Sequence, residues 1–490
     1  MTAPARRELP PLPPLDTIRN VHIIGICGTA MGTLAAMFGQ RGYRVSGSDA
    51  MAYPPMSTWL EARGLNIMSG YDASHIAPDT HLVVVGNVSR SDNPEAVATV
   101  ERGIPFLSMP EALRLFFFPD RQLLTVTGTH GKTTTSSILS WLLHEAGSDP
   151  SFFIGGVTRN FDSNFRLGEG LPFVVEGDEY DTAYFDKVPK FWHYPSFAAA
   201  INNVEFDHAD IYPNIESIEE VFSKFAAQVE PAGVVWVNGE DDRAKRCAAH
   251  ASARIETFGF GADNTLHAEM TGSDERGTYI RMTHRDLGTV EGRIATMGLH
   301  NVRNFLGATG LALSAGLTLQ QCIDAAGTYE GVKKRQEIKG VVNNIVVVDD
   351  FAHHPTAVRE TLAAIRMRFP TRRIWAAFEA KSNTSRRAVF QDEYPAAFAS
   401  ADVVILSEPW RKDSLADDEK ISIPRLAETI REGGKETHLI ADPADIATYV
   451  AAHAQPGDLF AGLSGSAFGG VHTSILQKLS ERFSSPITQL

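Results

Sequence analysis

The stretch Leu123-Leu-Thr-Val-Thr-Gly-Thr-His-Gly-Lys-Thr-Thr-Thr135 constrains the fold more than any other part of the chain. An apolar run suited to a buried strand enters a glycine-containing turn, and Lys132 and Thr133 open a helix. The residue types suit a polyphosphate. Gly128 and Gly131 let backbone N–H groups converge on phosphate oxygens, the helix N-terminus adds its positive dipole end, Lys132 supplies a point charge, and the Thr133 hydroxyl can reach Mg2+. Gly128, Thr129, His130, Gly131, Lys132, Thr133 and Thr134 are the candidate nucleotide-phosphate residues. The general P-loop pattern needs glycine at position 126, where Val126 stands, so the alternative is an ordinary strand-to-helix turn.

At 490 residues, with 43% hydrophobic content, the chain is long enough for about three domains with separate cores. A net charge of −14 argues against general affinity for nucleic acid; an anionic ligand needs locally focused positive charge instead. Cys27, Cys247 and Cys322 are odd in number and widely spaced, which argues for a reducing compartment rather than a disulfide framework. Met1 to Asn20 is proline-rich without the apolar core of a signal peptide, and no 18-residue apolar run follows. We expect a flexible lead-in over residues 1–20, a cytoplasmic location and no membrane partner; the sequence leaves the oligomeric state open between a monomer and a weak dimer.

Three α/β blocks are expected: residues 21–119, with strands at Val21–Gly25, Tyr43–Val45 and Leu82–Val85; residues 120–331, headed by the phosphate turn and carrying a β-rich portion near Leu266–Thr296; and residues 332–490, with a buried strand over Val341–Val348 followed by βα alternation. Phe116-Phe-Phe-Pro119 marks the exit of the first block. That block opens on a second glycine-rich turn, Gly25-Ile-Cys-Gly28-Thr-Ala-Met-Gly32, with Asp49 about twenty residues on. Such a turn can hold a pyrophosphate while the carboxylate meets a ribose. The dinucleotide fingerprint is broken by Cys27 and Ala30, so a nucleotide diphosphate other than NAD and a purely structural turn both stay open.

Beyond the phosphate turn, Phe173-Val-Val-Glu-Gly-Asp-Glu-Tyr180 and Asn202-Asn-Val-Glu-Phe-Asp-His208 place acids and an imidazole at the expected C-terminal ends of neighbouring parallel strands, where metals and phosphates bind in open sheets. Glu176 and His208, with Thr133, are the metal candidates; helix capping by the acids and a solvated histidine are the bland alternatives.

The motifs Gly128-Thr-His-Gly-Lys-Thr133, Glu176-Gly-Asp-Glu179, Asn203-Val-Glu-Phe-Asp-His208, His300-Asn-Val-Arg-Asn304 and Asp349-Asp-Phe-Ala-His-His-Pro355, in that order, resemble those of the ATP-dependent muramyl (Mur) ligases of cell-wall synthesis. The resemblance covers essentially everything after residue 20. It implies three domains: a Rossmann-like UDP-sugar-binding domain, a central P-loop ATPase-type domain with an added β portion, and a Rossmann-like C-terminal domain. Ile24–Thr29, Tyr53-Pro-Pro-Met-Ser57, Phe185-Asp-Lys187, Glu205–Ile211 and Ser382-Asn-Thr384 most resemble the branch that recycles wall peptide. That branch joins UDP-N-acetylmuramate to the murein tripeptide L-Ala-γ-D-Glu-meso-diaminopimelate through an acyl phosphate, using ATP and Mg2+; the nearest alternative is the branch that adds free L-alanine.

Carried over residue by residue, the resemblance implies catalytic roles for Lys132, Glu176, His208 and His353. It implies ATP contacts for Asn301 near the base, Arg335, and Asp350 near the ribose. Substrate contacts are implied for Gly28, Thr29, Ala30, Met31, Gly32, Asp49, Asn87 and Arg386. Taken singly, Asn301 could cap a helix, Arg335 could be solvated, Asp350 could be a strand-end carboxylate, and Arg386 with Arg387 could lie on a solvated helix face. Two departures stand out. Many Mur ligases carry a carbamylated lysine fifteen residues beyond the equivalent of His208; Ser223 stands there, with Lys224 beside it. The loop Ser464-Gly-Ser-Ala-Phe-Gly-Gly-Val-His472 also differs from the Ser-Asn-Gly-Gly-Phe-Gly-Gly run of the recycling branch.

Overall fold

The computed structural model describes residues 11–52, 56–408, 416 and 419–489. Among the described residues, three large sheets follow one another along the chain, with a two-stranded sheet beside the second. The first is parallel, in the order β3-β2-β1-β4-β5, from β1 (Asn20–Ile24), β2 (Arg44–Asp49), β3 (Asn66–Ser69), β4 (Leu82–Val85) and β5 (Phe106–Ser108). Of the expected lead-in, residues 1–10 lie outside the described residues. The rest is not loose: Leu15–Thr17 forms a short helix, Leu12 and Leu15 pack on the core, and Ile18 is fully buried.

The second sheet has ten strands. They are β6 (Gln122–Thr127), β7 (Ser151–Thr158), β8 (Ser163–Arg166), β9 (Pro172–Glu176), β12 (Ala198–Ile201), β13 (Val234–Asn238), β14 (Arg254–Gly259), β15 (Leu266–Asp274), β16 (Gly277–His284) and β17 (Gly288–Ile294), with the small hairpin β10 (Asp181–Ala183) and β11 (Asp186–Pro189) beside them. The order is β17-β16-β15-β14-β13-β12-β6-β9-β7-β8, so the β-rich portion extends the central sheet. The four strands at its heart, β12, β6, β9 and β7, are parallel and buried over most of their length, as in a sheet covered on both faces.

The third sheet has the order β18-β19-β23-β20-β21-β22. It comprises β18 (Glu337–Val342), β19 (Ile345–Asp350), β20 (Ile374–Glu379), β21 (Val403–Leu406), β22 (Glu436–Leu439) and β23 (Leu459–Ser464). The single strand expected over Val341–Val348 is two antiparallel strands. Asn343 and Asn344 turn the chain with φ of 44° and 62°, and this positive-φ pair is what a two-residue hairpin with primed geometry needs.

The Phe116-Phe117-Phe118 exit is a packed junction. Phe38 meets the rings of Phe116 and Phe117 at 5.1 Å, while Phe118 meets Phe173 at 5.0 Å and Tyr194 at 5.4 Å. One apolar core therefore runs from the first domain into the central one. The third sheet has its own cores, touched from outside by Phe206.

Candidate active site

A cleft of about 1660 Å3 lies where the C-terminal ends of β6, β9 and β12 face the third domain. β6 lies between β9 and β12, with Val126 opposite Glu176 and Thr127 opposite Ile201. Glu176 and the loop leading to His208 therefore flank the phosphate turn, rather than sitting on strands adjacent to each other as the sequence suggested.

Gly131 caps the helix Lys132–Glu145 at a φ of 83°. A side chain there would collide with Asn304, whose Oδ1 lies 2.3 Å from the position of a Cβ, so steric space and backbone angle both demand glycine. The amides of Thr129 and His130 are already used: they donate to the Asn203 carbonyl at 3.1 Å and to its Oδ1 at 2.7 Å. An anion is left the N–H groups of the first helical turn, at Lys132, Thr133 and Thr134, which have no acceptor within the helix.

Lys132 Nζ donates to the Gly128 carbonyl at 2.6 Å and to Glu179 Oε2 at 2.8 Å. Burial pushes its pKa down, but Glu179 and Asp178 outweigh this and hold it at about 12, so the ammonium stays charged. Thr133 donates to Glu176 Oε2 at 3.1 Å, and the Gly155 N–H donates to Oε1 at 2.7 Å. Burial, reinforced by Asp178, raises the Glu176 carboxyl to about 7. A buried carboxylate destabilised in this way, in contact with a hydroxyl beside free helix amides, is a donor set that fits Mg2+ bridging to a phosphate.

His208 is separate from that pair. Its Nε2 faces Glu179 Oε1 at 3.4 Å, its N–H donates to the Thr384 hydroxyl at 3.0 Å, and its φ is 53°. Burial lowers its basicity, but Glu179 reverses this and the net shift is upward. Glu179, 2% exposed, thus links Lys132 and His208. Sequence reasoning does not single it out as a site residue, although the acidic run Glu176-Gly-Asp-Glu179 contains it.

The third domain supplies the opposite wall, including Lys334, Arg335, Asp350 and His353. Arg335 lies over the Phe351 ring at 4.8 Å, whereas the exposed Lys333 pairs with Asp162. Asp350 accepts from the amides of Gln336 and Ala352, both at 2.7 Å. His353 Nδ1 meets the Phe351 carbonyl at 2.9 Å, and burial lowers its pKa. Asn301 lines the cleft as well, but it is no cap: Gly298 caps the helix Leu299–Ser314, while Asn301 donates to the Met297 carbonyl and accepts from Asn304.

In the first domain, Gly28 caps the helix Thr29–Gln40, which contains Thr29, Ala30, Met31 and Gly32, and Thr29 reaches the same cleft. Asp49 Oδ2 accepts from the Cys27 N–H at 3.0 Å, bracing this turn. Asn87 donates to Asp181 at 3.3 Å. Arg386 lies in a turn, not on a helix face, with its guanidinium on the Ser382 carbonyl and Asn383. Among the described residues, Asp49, Asn87 and Arg386 do not line the cleft. Tyr53-Pro54-Pro55 lies outside the described residues. Lys224 pairs with Glu220 and is half exposed, and Ser223 bonds the Glu219 carbonyl. The divergent C-terminal loop reaches the cleft wall: Ser464 and Ser466 both donate to Glu379 Oε2, and Gly465 packs beside His353.

Residues 20–117 match the Mur ligase family catalytic domain, residues 126–312 the Mur ligase middle domain, and residues 334–464 the Mur ligase glutamate ligase domain. The chain belongs to the Mur ligase family. This Mur ligase is 37% identical over 466 residues to the UDP-N-acetylmuramate:L-alanyl-gamma-D-glutamyl-meso-2,6-diaminoheptandioate ligase of Escherichia coli (strain K12), covering 94% of its own chain and 99% of the relative. It is 34% identical to the UDP-N-acetylmuramate:L-alanine ligase of Nitratidesulfovibrio vulgaris (strain DP4), covering 80% of its chain and 84% of the relative. The crystal structure of a murein peptide ligase from Psychrobacter arcticus 273-4 superposes with a TM-score of 0.70 at 32% identity, over 94% of this chain and 98% of that one. The three-domain α/β architecture and the ligase class follow from this membership. Among the described residues, no helix is long and apolar enough to cross a membrane.

Proposed function

We propose that this Mur ligase joins the lactyl carboxylate of UDP-N-acetylmuramate to the α-amine of a recycled murein tripeptide, L-Ala-γ-D-Glu-meso-diaminopimelate, with ATP hydrolysed to ADP and phosphate in the cytoplasm. One observation carries the choice of acceptor: the tripeptide-adding relatives are 36–37% identical over 94% of this chain, whereas the L-alanine-adding relatives are 33–34% identical over 80–92% of it. On this reading, residues 21–119 bind the UDP-sugar, residues 120–331 bind ATP, and residues 332–490 bring the acceptor.

The amides of Lys132, Thr133 and Thr134 would receive the β- and γ-phosphates, and the Lys132 ammonium, kept charged by Glu179, would neutralise the phosphoryl group in transfer. Thr133 and Glu176 would hold Mg2+, which when bound polarises the γ-phosphate and offsets its charge. His208 would sit by the acyl phosphate, within reach of a second ion. The carboxylate oxygen bonds to the γ-phosphorus as the bond to ADP breaks; the amine then bonds to the acyl carbon, phosphate departs, and the amine loses a proton. Arg335 and Asn301 would frame the nucleoside, with Asp350, whose oxygens also hold two backbone amides, near the ribose. His353 would stand at the junction with the acceptor loop. Thr29 would face the sugar nucleotide from the first domain, backed by the Gly28–Gly32 turn and Asp49.

Phosphate release measured with ATP and UDP-N-acetylmuramate, using the tripeptide in one arm and free L-alanine in the other, tests the proposal. Turnover that depends on the tripeptide is expected. Turnover with L-alanine instead assigns the chain to the alanine-adding reaction, and inactivity with both acceptors removes the reading altogether.

A further inference from the structure

The cleft contains a second set of donors that the ligase reading leaves without a task. His130 comes from the phosphate turn, Glu205 from the loop after β12, and His354 from the residue that caps the helix Pro355–Arg368. One ligand atom from each lies within 4.8 Å of the other two. Glu205 Oε2 is 3.5 Å from His130 Nε2 and 3.8 Å from His354 Nδ1, and the two imidazole centroids are 4.5 Å apart. A tetrahedral ion with ligand distances of about 2.1 Å sets its donors about 3.4 Å apart, so small side-chain rotations would close the triangle.

The hydrogen-bond pattern suits a metal. His354 Nε2–H points to the Phe206 carbonyl at 3.3 Å, leaving a lone pair on Nδ1; a second-shell carbonyl of this kind orients metal-ligating histidines. The competing donor on that lone pair is the Thr356 N–H, at a long 3.3 Å. The Thr356 hydroxyl donates to Glu205 Oε2 at 2.7 Å and steadies the carboxylate. The alternative is a plain ion pair between Glu205 and a protonated His130. At 3.5 Å that contact is well beyond the roughly 2.7–2.9 Å of a charge-assisted hydrogen bond, and His130 Nε2 is buried without a hydrogen-bond partner among the described residues.

We propose that His130, Glu205 and His354 form a binding site for one divalent cation of the zinc class, distinct from the oxygen-rich Thr133–Glu176 pair that suits Mg2+. Two nitrogens and one oxygen favour Zn2+ or Co2+ over Mg2+. The three ligands leave a fourth position for water or a phosphate oxygen from the cleft. Because His130 and Glu205 belong to the central domain and His354 to the third, a bound cation staples the third domain against the phosphate turn.

Titration of the full-length protein with Co2+ in saturating Mg2+, followed by visible ligand-field absorption, tests this site. One equivalent is expected to bind, with affinity falling at least tenfold in both Glu205→Gln and His130→Gln and unchanged in Glu176→Gln. Anomalous difference density at the zinc edge, from unaltered protein crystallised with Zn2+ and Mg2+, is expected among the three side chains. Cobalt binding that survives both site variants, that Mg2+ competes away, or that disappears with Glu176→Gln overturns the proposal, as does zinc density elsewhere in the cleft alone.

Discussion

At the scale of residues, the buried chain Lys132–Glu179–His208 organises the site. Lys132→Ala should lower kcat about a hundredfold or more, on the order of 3 kcal/mol, because it removes charge neutralisation in the transition state; near-normal steady-state turnover would show that the phosphate turn has another role. Glu179→Gln withdraws the charge facing both Lys132 and His208, and its effect should appear in denaturant unfolding as a loss of about 3 kcal/mol, the scale of a broken buried pair. Next to Asp350 in the cleft wall, burial raises the Asp349 carboxyl to about 6, with Lys334 opposing and Glu337 assisting. The folded state then holds this proton more tightly than the unfolded chain, so the contribution to stability is present below about 4 and lost as pH rises through about 6. Asp349→Asn should flatten that part of the stability–pH curve and be more stable than the parent at pH 8 by about 1 kcal/mol, allowing for residual solvent screening. Glycines and the lysine of the phosphate turn were legible from sequence because local backbone geometry dictates them. Glu179 was not, because its importance comes from two partners, 47 and 29 positions distant, brought to it only by the sheet.

Among the elements, local signals succeeded where an element is long and apolar and failed at a two-residue turn. The parallel strands β6, β9 and β12 are readable as hydrophobic runs, but their lateral order is not, and it is this order that sets Glu176 and the His208 loop on either side of the phosphate turn. Between β18 and β19, the apolar run hid a turn because Asn343 and Asn344 interrupt it for only two residues. Asn343 is exposed with φ of 44°, so Asn343→Gly should leave the unfolding midpoint unchanged or slightly raised. Asn343→Val should cost about 1–2 kcal/mol, because a β-branched residue resists positive φ. Equal stability of the two variants in thermal melts would contradict the turn geometry.

For the whole molecule, the interfaces are unequal. The first and central domains share a continuous aromatic core, whereas the third meets the central domain through polar contacts such as Thr356 to Glu205, Asn383 to Asp210 and the His208 amide to Thr384, with Phe206 as an apolar contact. The third domain is therefore the one expected to move, closing over a hydrolysable acyl phosphate to exclude water. Solution scattering should show a smaller radius of gyration when ATP analogue and UDP-N-acetylmuramate are both present; an unchanged profile would argue against closure. The docking place of the triphosphate decides the function, and crystals grown with a non-hydrolysable ATP analogue and Mn2+ locate it. The β- and γ-phosphates are expected on the amides of Lys132, Thr133 and Thr134, with anomalous density for manganese beside Thr133 and Glu176; a nucleotide bound elsewhere, or manganese absent from that pair, would contradict the assignment of the phosphate turn.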